Sequence, residues 1–226
     1  MSPGGAPAAA ATGPATTQQH AVEALRRAIV AGDLRPGQRV NQEDVASRIG
    51  TSIAPVREAL RVLEQEGQVT YLPRRGYSVT ELRIEDLEEI YELRQVLEER
   101  TARHALAAID GEVLRRIALA AEDCVAASAA GDVAAELEAN RRFHFAILSA
   151  SGRVHAMRVI RLLWDSTEAY RAIYYNAPEE RHASLDAHAR IIEAIRRRAA
   201  DELVAELDAH RARALEVLRG ILEEPS

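Results

Sequence analysis

The chain has 226 residues, a formal net charge of −6, 47% hydrophobic residues, one cysteine and no lysine. That hydrophobic fraction excludes a disordered chain, a single cysteine excludes an internal disulfide, and no apolar run approaches the roughly 20 residues that span a bilayer. A composition rich in Ala, Leu, Glu and Arg with 4% aromatics favours helices, and a cytoplasmic protein with Cys124 buried as a small apolar residue is expected.

The charge is unevenly spread. Residues 17–80 hold 9 Arg against 7 acids, and residues 81–226 hold 20 Arg against 28 acids. The first part is therefore slightly basic and the second carries the acidity. Arg suits bidentate contacts with phosphate and guanine, but so small an excess leaves motifs to carry any DNA-binding argument.

Residues 1–16, made of Ala, Gly, Pro and Thr with neither a basic start nor an apolar core, read as a flexible tail rather than a signal peptide. Helical spacing of Val22, Leu25, Ile29 and Val30 predicts a helix over 18–31, stopped at Gly32, and Leu34-Arg35-Pro36-Gly37 predicts a turn. A short extended piece through Val40 leads to Asn41, an N-cap for a helix over 42–49 that Gly50 ends. The next helix runs from Ser52 to Glu66 with Pro55 in its first turn, where a missing N–H costs nothing. Two β-prone runs, 68–72 and 77–80, flank a hairpin tip at Pro73-Arg74-Arg75-Gly76. From residue 85 onward six helices are predicted, at about 85–109, 111–130, 132–150, 153–175, 179–199 and 201–222, with Asp132 and Asp201 as N-caps. The fold class is thus mainly α, a winged helix-turn-helix over 17–80 followed by an antiparallel all-α bundle over 81–226.

Two short helices joined at Gly50-Thr51 make a helix-turn-helix, whose second member lays its N-terminal residues near base edges. Ser52 and Arg57 lie there. Arg74 and Arg75 at the hairpin tip reach for the minor groove or backbone, and Gly76 lets the hairpin approach closely. In the bundle, Val133, Leu137, Asn140, His144 and Leu148 share one helix face. Leu185, His188, Ile192 and Ile195 share another, as do Leu203, Leu207, His210 and Ala214. Leu87, Ile90, Arg94, Leu97 and Thr101 form a fourth, with His104 one turn on. A lone His on an apolar face is ordinarily a hydrogen-bonded core residue. Three of them on three helices point to a shared partner, because an unpartnered inward polar group costs about 1–3 kcal/mol. A divalent transition metal meets that need, and Arg94 is placed to hold an anionic effector by a bidentate contact.

The runs Leu34-Arg-Pro-Gly37, Asn41-Gln-Glu-Asp-Val-Ala46, Ile49-Gly50-Thr-Ser52, Pro55-Val-Arg-Glu-Ala-Leu60, Leu63-Glu64 with Glu66-Gly67, and Pro73-Arg-Arg-Gly-Tyr-Ser-Val79 together resemble the GntR family of transcription regulators. The helical half, through Leu93-Arg94 with Leu97-Glu98, Asn140-Arg-Arg-Phe-His144, Ser151-Gly152, His188-Ala-Arg-Ile-Ile-Glu-Ala-Ile195 and Asp201 followed by His210, resembles the FCD ligand-binding domain of the FadR/VanR-type branch. The resemblance implies a metal bound through Asn140, His144, His188 and His210, with Asn140 standing where the family has Asp. Zinc comes first among the candidate ions, followed by nickel, iron or manganese, and His104 and His182 are the substitute ligands. It also implies an effector contact at Arg94. Ile53 occupies a position where relatives carry an operator-contacting Arg, and Glu43 one where a basic residue is common. Six helices rather than seven imply the VanR-type subgroup. The expected protein is a dimeric repressor of a palindromic double-stranded DNA operator, controlled by a small carboxylate bound near the metal, with no membrane partner. Two other readings stand beside it, a sensor for which the ion is itself the signal and a metal-dependent hydrolase. Against the hydrolase, no nucleophile elbow, P-loop, zincin motif or general base accompanies the histidines.

Overall fold

The computed structural model describes residues 16–223, so the expected tail lies outside the described residues except for Thr16. Thr16 caps helix α1 (Thr17–Val30) in a reciprocal capping box with Gln19. Helix α2 (Gln42–Ile49) is capped by the Asn41 side chain, which accepts from the Glu43 and Asp44 amides, and ends at Gly50 in the left-handed conformation (φ 69°). Helix α3 (Ile53–Gln65) follows Ser52 as its N-cap residue. Strands β1 (Val69–Leu72) and β2 (Gly76–Val79) pair antiparallel with Val69 opposite Val79 and Leu72 opposite Gly76. The extended piece before α2 joins this hairpin through a bridge between Arg39 and Ser78, and the Val40 N–H donates to the Tyr77 carbonyl. These elements close over one core built on Leu25, Val56, Leu60, Leu63 and Val79.

The rest is helical. Helix α4 (Ile84–Ala108), α5 (Gly111–Ala130), α6 (Val133–Ser149), α7 (Val154–Ser166), α8 (Glu168–Tyr175), α9 (Pro178–Arg196) and α10 (Ala200–Glu223) form an antiparallel bundle. Asp110 and Asp132 cap α5 and α6 by accepting from the Val113 and Ala135 amides. The main core gathers Phe143, Ile147, Ile160, Trp164, Ile191 and Leu203, with Cys124 buried beside it. Among the described residues no helix is long and apolar enough to cross a membrane.

The mainly helical fold with an N-terminal winged helix-turn-helix is the one the sequence predicts. Two details differ. The single helix expected over 153–175 is two, so the bundle has seven helical segments and the count no longer argues for the VanR-type subgroup. The break falls at Thr167 (φ −106°, ψ 10°). There the Ser166 and Thr167 hydroxyls turn back onto the Leu163 and Trp164 carbonyls, in competition with the backbone ladder. Asp201 is not an N-cap, because α10 starts one residue earlier. Its carboxylate instead takes the Arg103 guanidinium of α4 at 2.6 Å, from a first turn that favours negative charge.

The α7–α8 corner is where bundle and head meet. Gly67, which follows α3 with φ +75°, sits so close that a Cβ there would come within 3.2 Å of the Ser166 Cβ. The Tyr170 hydroxyl accepts from the Leu82 N–H at 2.7 Å and also contacts the Leu82 carbonyl. Ala169 packs against both the head core and the second bundle cluster, which also takes in Val30 from α1.

Candidate functional site

On the head, Arg57 is exposed near the start of α3 and Arg74 and Arg75 are exposed at the hairpin tip. Arg74 adopts a positive φ of 67° and Gly76 one of 82°, so the tip turns tightly and the hairpin end stays thin. Ser52 is exposed and its hydroxyl makes no capping bond to α3. Ile53 is different, since its half-buried side chain packs against the head core and only part of it faces outward. Sequence reasoning passed over Arg39, exposed and bridged to β2, whose guanidinium lies 3.9 Å from where a Gly76 Cβ would stand. The Arg in the extended piece before Val40 was the signal for it.

In the bundle, α6 supplies Asn140 and His144, α9 supplies His188 and α10 supplies His210. The three imidazoles converge, with one ligand atom from each lying within 4.8 Å of the others. Ring centroids are 5.1 Å apart for His144 and His210, 5.4 Å for His144 and His188, and 5.2 Å for His188 and His210. Phe143 stacks on His188 at 4.1 Å and fixes its plane. Asn140 joins the group through its Oδ1, which lies 3.0 Å from His188 Nε2. His104 and His182 stand outside the cluster. Both are exposed, and His104 pairs with Arg153.

What these rings lack is as informative as where they stand. His144 is 3% exposed, and neither of its nitrogens has a hydrogen-bond partner; His188 Nδ1 has none either. A buried ring nitrogen left unpaired costs about 1–3 kcal/mol. Burial first, then the neighbouring imidazoles, holds the His144 and His188 rings well below the usual histidine range, and Arg94 and Arg211 add to the effect at His144. Burial and the same two guanidiniums lower His210 to about 4. All three rings are neutral near pH 7 and present lone pairs, which is the form a metal binds. The donor set and its orphaned nitrogens fit a divalent ion.

Beside the imidazoles is a cavity of about 30 Å³, lined by Arg94, Glu98, Trp164, Arg171 and Arg211 among others. Glu98, 2% exposed, is the one acid in that lining among the described residues. It accepts from Arg94 Nε at 2.9 Å, Trp164 Nε1 at 2.8 Å and Arg211 Nη2 at 3.0 Å. Burial alone would raise its carboxyl, but Arg94 and Arg211 hold it down at about 2. The guanidiniums of Arg94 and Arg171 both lie over the Trp164 indole, at 4.3 and 4.4 Å.

Two family profiles match. One, described as bacterial regulatory proteins of the gntR family, covers residues 17–79, and the other, the FCD domain, covers residues 89–213. The chain belongs to the GntR family, with an FCD domain. This GntR regulator is 28% identical to the HTH-type transcriptional regulator YdhC of Bacillus subtilis over 88% of its own chain and 90% of that protein. It is 29% identical to the Nta operon transcriptional regulator of Aminobacter aminovorans over 84% and 90% of the two chains. The solved structure of E. coli McbR/YncC superposes with a TM-score of 0.81 over 92% of this chain and 99% of that one at 23% identity, a likeness of fold. The regulator is a transcription factor and not an enzyme, which removes the hydrolase reading.

Sequence reasoning did not foresee Glu98, Arg171 and Arg211 as site residues of this regulator. Glu98 is four residues after Arg94, a helical ion-pair spacing on the inward face. Arg211 was obscured because the α10 face was taken through Leu203, Leu207 and His210. The buried residues of α10 are Leu203, Val204, Leu207, Arg211 and Leu218, while His210 is half-buried at their edge. For Arg171, next to Tyr170 and preceding Tyr174, only the helix break at Thr167 would have indicated its direction.

Glu98→Gln should cost about 3–5 kcal/mol of unfolding free energy, because Arg94 and Arg211 are then buried without their carboxylate. Guanidinium denaturation checks this. A loss below about 1 kcal/mol would show that the two guanidiniums are neutralised elsewhere.

Proposed function

We propose that this regulator is a dimeric repressor, acting in the cytoplasm on a palindromic operator, whose DNA affinity changes when a small organic acid binds beside a divalent ion. The observation that carries the reading is the convergence of three imidazoles, of which His144 is buried with both nitrogens unpartnered and His188 with its Nδ1 unpartnered. His144, His188 and His210 would hold the ion, with the Asn140 amide oxygen as fourth donor. A neutral amide is a weaker ligand than the carboxylate of relatives, which favours zinc over nickel, iron or manganese only modestly. Bound there, the ion supplies an electrophilic centre for an effector oxygen. Arg94, fixed by Glu98 and by the Trp164 face, offers its remaining N–H groups to the effector carboxylate.

On the head, Ser52, Arg57 and part of Ile53 are offered to the major groove. Arg74 and Arg75, with Gly76 keeping the hairpin thin, are offered to the flanking backbone or minor groove. Two such heads are needed for a palindrome. The packed helices α4 and α7 supply a face for a second copy, carrying the exposed Leu93, Val96, Val159 and Leu162. An effector switches DNA binding only by favouring one arrangement of the heads over the other, and the α7–α8 corner is the contact through which the cavity touches the head.

The ion-sensor reading has one observation in its favour, since a cavity of about 30 Å³ takes an ion but no organic acid without movement of its walls. Titrating zinc into the protein–operator complex, with and without carboxylates, separates the two. Release by zinc alone supports the sensor, and release that requires an acid supports the repressor controlled by one.

Three outcomes check the parts. Arg57→Ala should weaken binding to a duplex selected by the wild-type protein by about tenfold or more with an unchanged circular-dichroism spectrum, and equal affinity removes Arg57 from the interface. His188→Ala should bring bound metal in the purified protein to background, and undiminished metal by elemental analysis refutes the centre. Val96→Glu should halve the sedimenting mass of the wild-type dimer, whereas a wild-type chain that already sediments as a monomer overturns the dimer.

A further inference from the structure

Three guanidiniums line the cavity beside the imidazoles, and they are not equally satisfied. Arg94 is held by Glu98 at 2.9 Å. Arg211 is held by Glu98 at 3.0 Å and by Asp208 at 2.6 Å. Arg171, 4% exposed, has only a longer ion pair. Its Nη2 reaches the Trp164 carbonyl at 3.5 Å and Glu168 at 3.4 Å, and Glu168 is itself shared with Arg141 at 3.6 Å. Its Nε and Nη1 are buried with no acceptor at all. A buried cation is tolerated when something answers its charge, and here the shared Glu168 and the Trp164 face at 4.4 Å do so while two N–H groups stay unmatched.

The position of Arg171 decides what would answer it. It lines the same cavity as Asn140, His144 and His210, it comes from α8, and its guanidinium, like that of Arg94, lies over the Trp164 indole. An effector whose one acid group sits at the imidazole cluster and Arg94 would share the cavity with the spare N–H groups of Arg171. A methyl there would leave the guanidinium as poorly paired as before, and a hydroxyl would accept a hydrogen bond without answering the charge. A second carboxylate would supply charge-assisted hydrogen bonds in a site shielded from water.

We propose that Arg171 anchors the second acid group of the effector, which makes that effector a small dicarboxylate. The proposal rests on the reading of the cavity as an organic-acid site and adds the charge of the acid. Arg171 belongs to the same two-turn helix as Ala169 and Tyr170, which touch the head core and the Leu82 backbone. Capture of the far carboxylate therefore draws on the element that joins bundle to head, and a monocarboxylate does not engage it.

The test uses the full-length, zinc-loaded protein and two probes of equal chain length, succinate and butyrate, titrated calorimetrically. Succinate should bind the wild-type protein at least about tenfold more tightly than butyrate, the worth of one charge-assisted pair. Arg171→Gln should bring the two affinities within about threefold of each other with metal content unchanged, and Arg171→Lys should restore part of the preference. Butyrate binding as tightly as succinate in the wild-type protein overturns the proposal while leaving the organic-acid site intact. So does a succinate preference that survives in Arg171→Gln. If neither probe binds, the organic-acid reading fails and this proposal with it. Should a variant not fold, the wild-type comparison alone still decides.

Discussion

Charge buried around a single carboxylate governs the C-terminal half of this regulator. Glu98 is nearly inaccessible and holds two guanidiniums and the Trp164 indole N–H at hydrogen-bonding distance. It thereby ties α4 to α7 and α10. Burial first, and then the guanidiniums of Arg94 and Arg211, keep His144 and His210 from protonating. Electrostatics and desolvation therefore act in the same sense. They produce a site that is neutral at its histidines and cationic at its walls.

That site is not isolated from the head. The hydroxyls of Ser166 and Thr167 interrupt what would otherwise be one long helix, and its second part, α8, packs against α1 and the segment before α4. One face of this short helix offers Arg171 and Tyr174 to the cavity, while Ala169 and Tyr170 contact the head core and the segment before α4. A packed corner of this kind has few ways to move by small amounts, so a change at the cavity is carried as a change of packing. Gly67 makes the corner closer still, at a backbone conformation that disfavours any other residue.

The sequence by itself determined the elements, because their signals are local. Helical spacing, the caps at Asn41 and Asp132, and the tip between Tyr71 and Tyr77 depend on neighbours a few residues away. Membership of the GntR family was legible in the contiguous runs of the head, and the inward direction of His144 and His188 followed from the periodicity of α6 and α9. What only the tertiary structure decided is which of these faces meet. The 4.8 Å convergence of the histidines on three helices and the engagement of Glu98 by Trp164 and Arg211, 66 and 113 positions away, are of this kind, as are the two unmatched N–H groups of Arg171. The break at Thr167 was hidden as well, because a hydroxyl that bonds back to its own helix leaves the apolar period unchanged while altering the path of the chain. Periodicity reports which side of a helix is buried. It carries no information about the partner on the other side, and the chemistry of this site lies in that pairing.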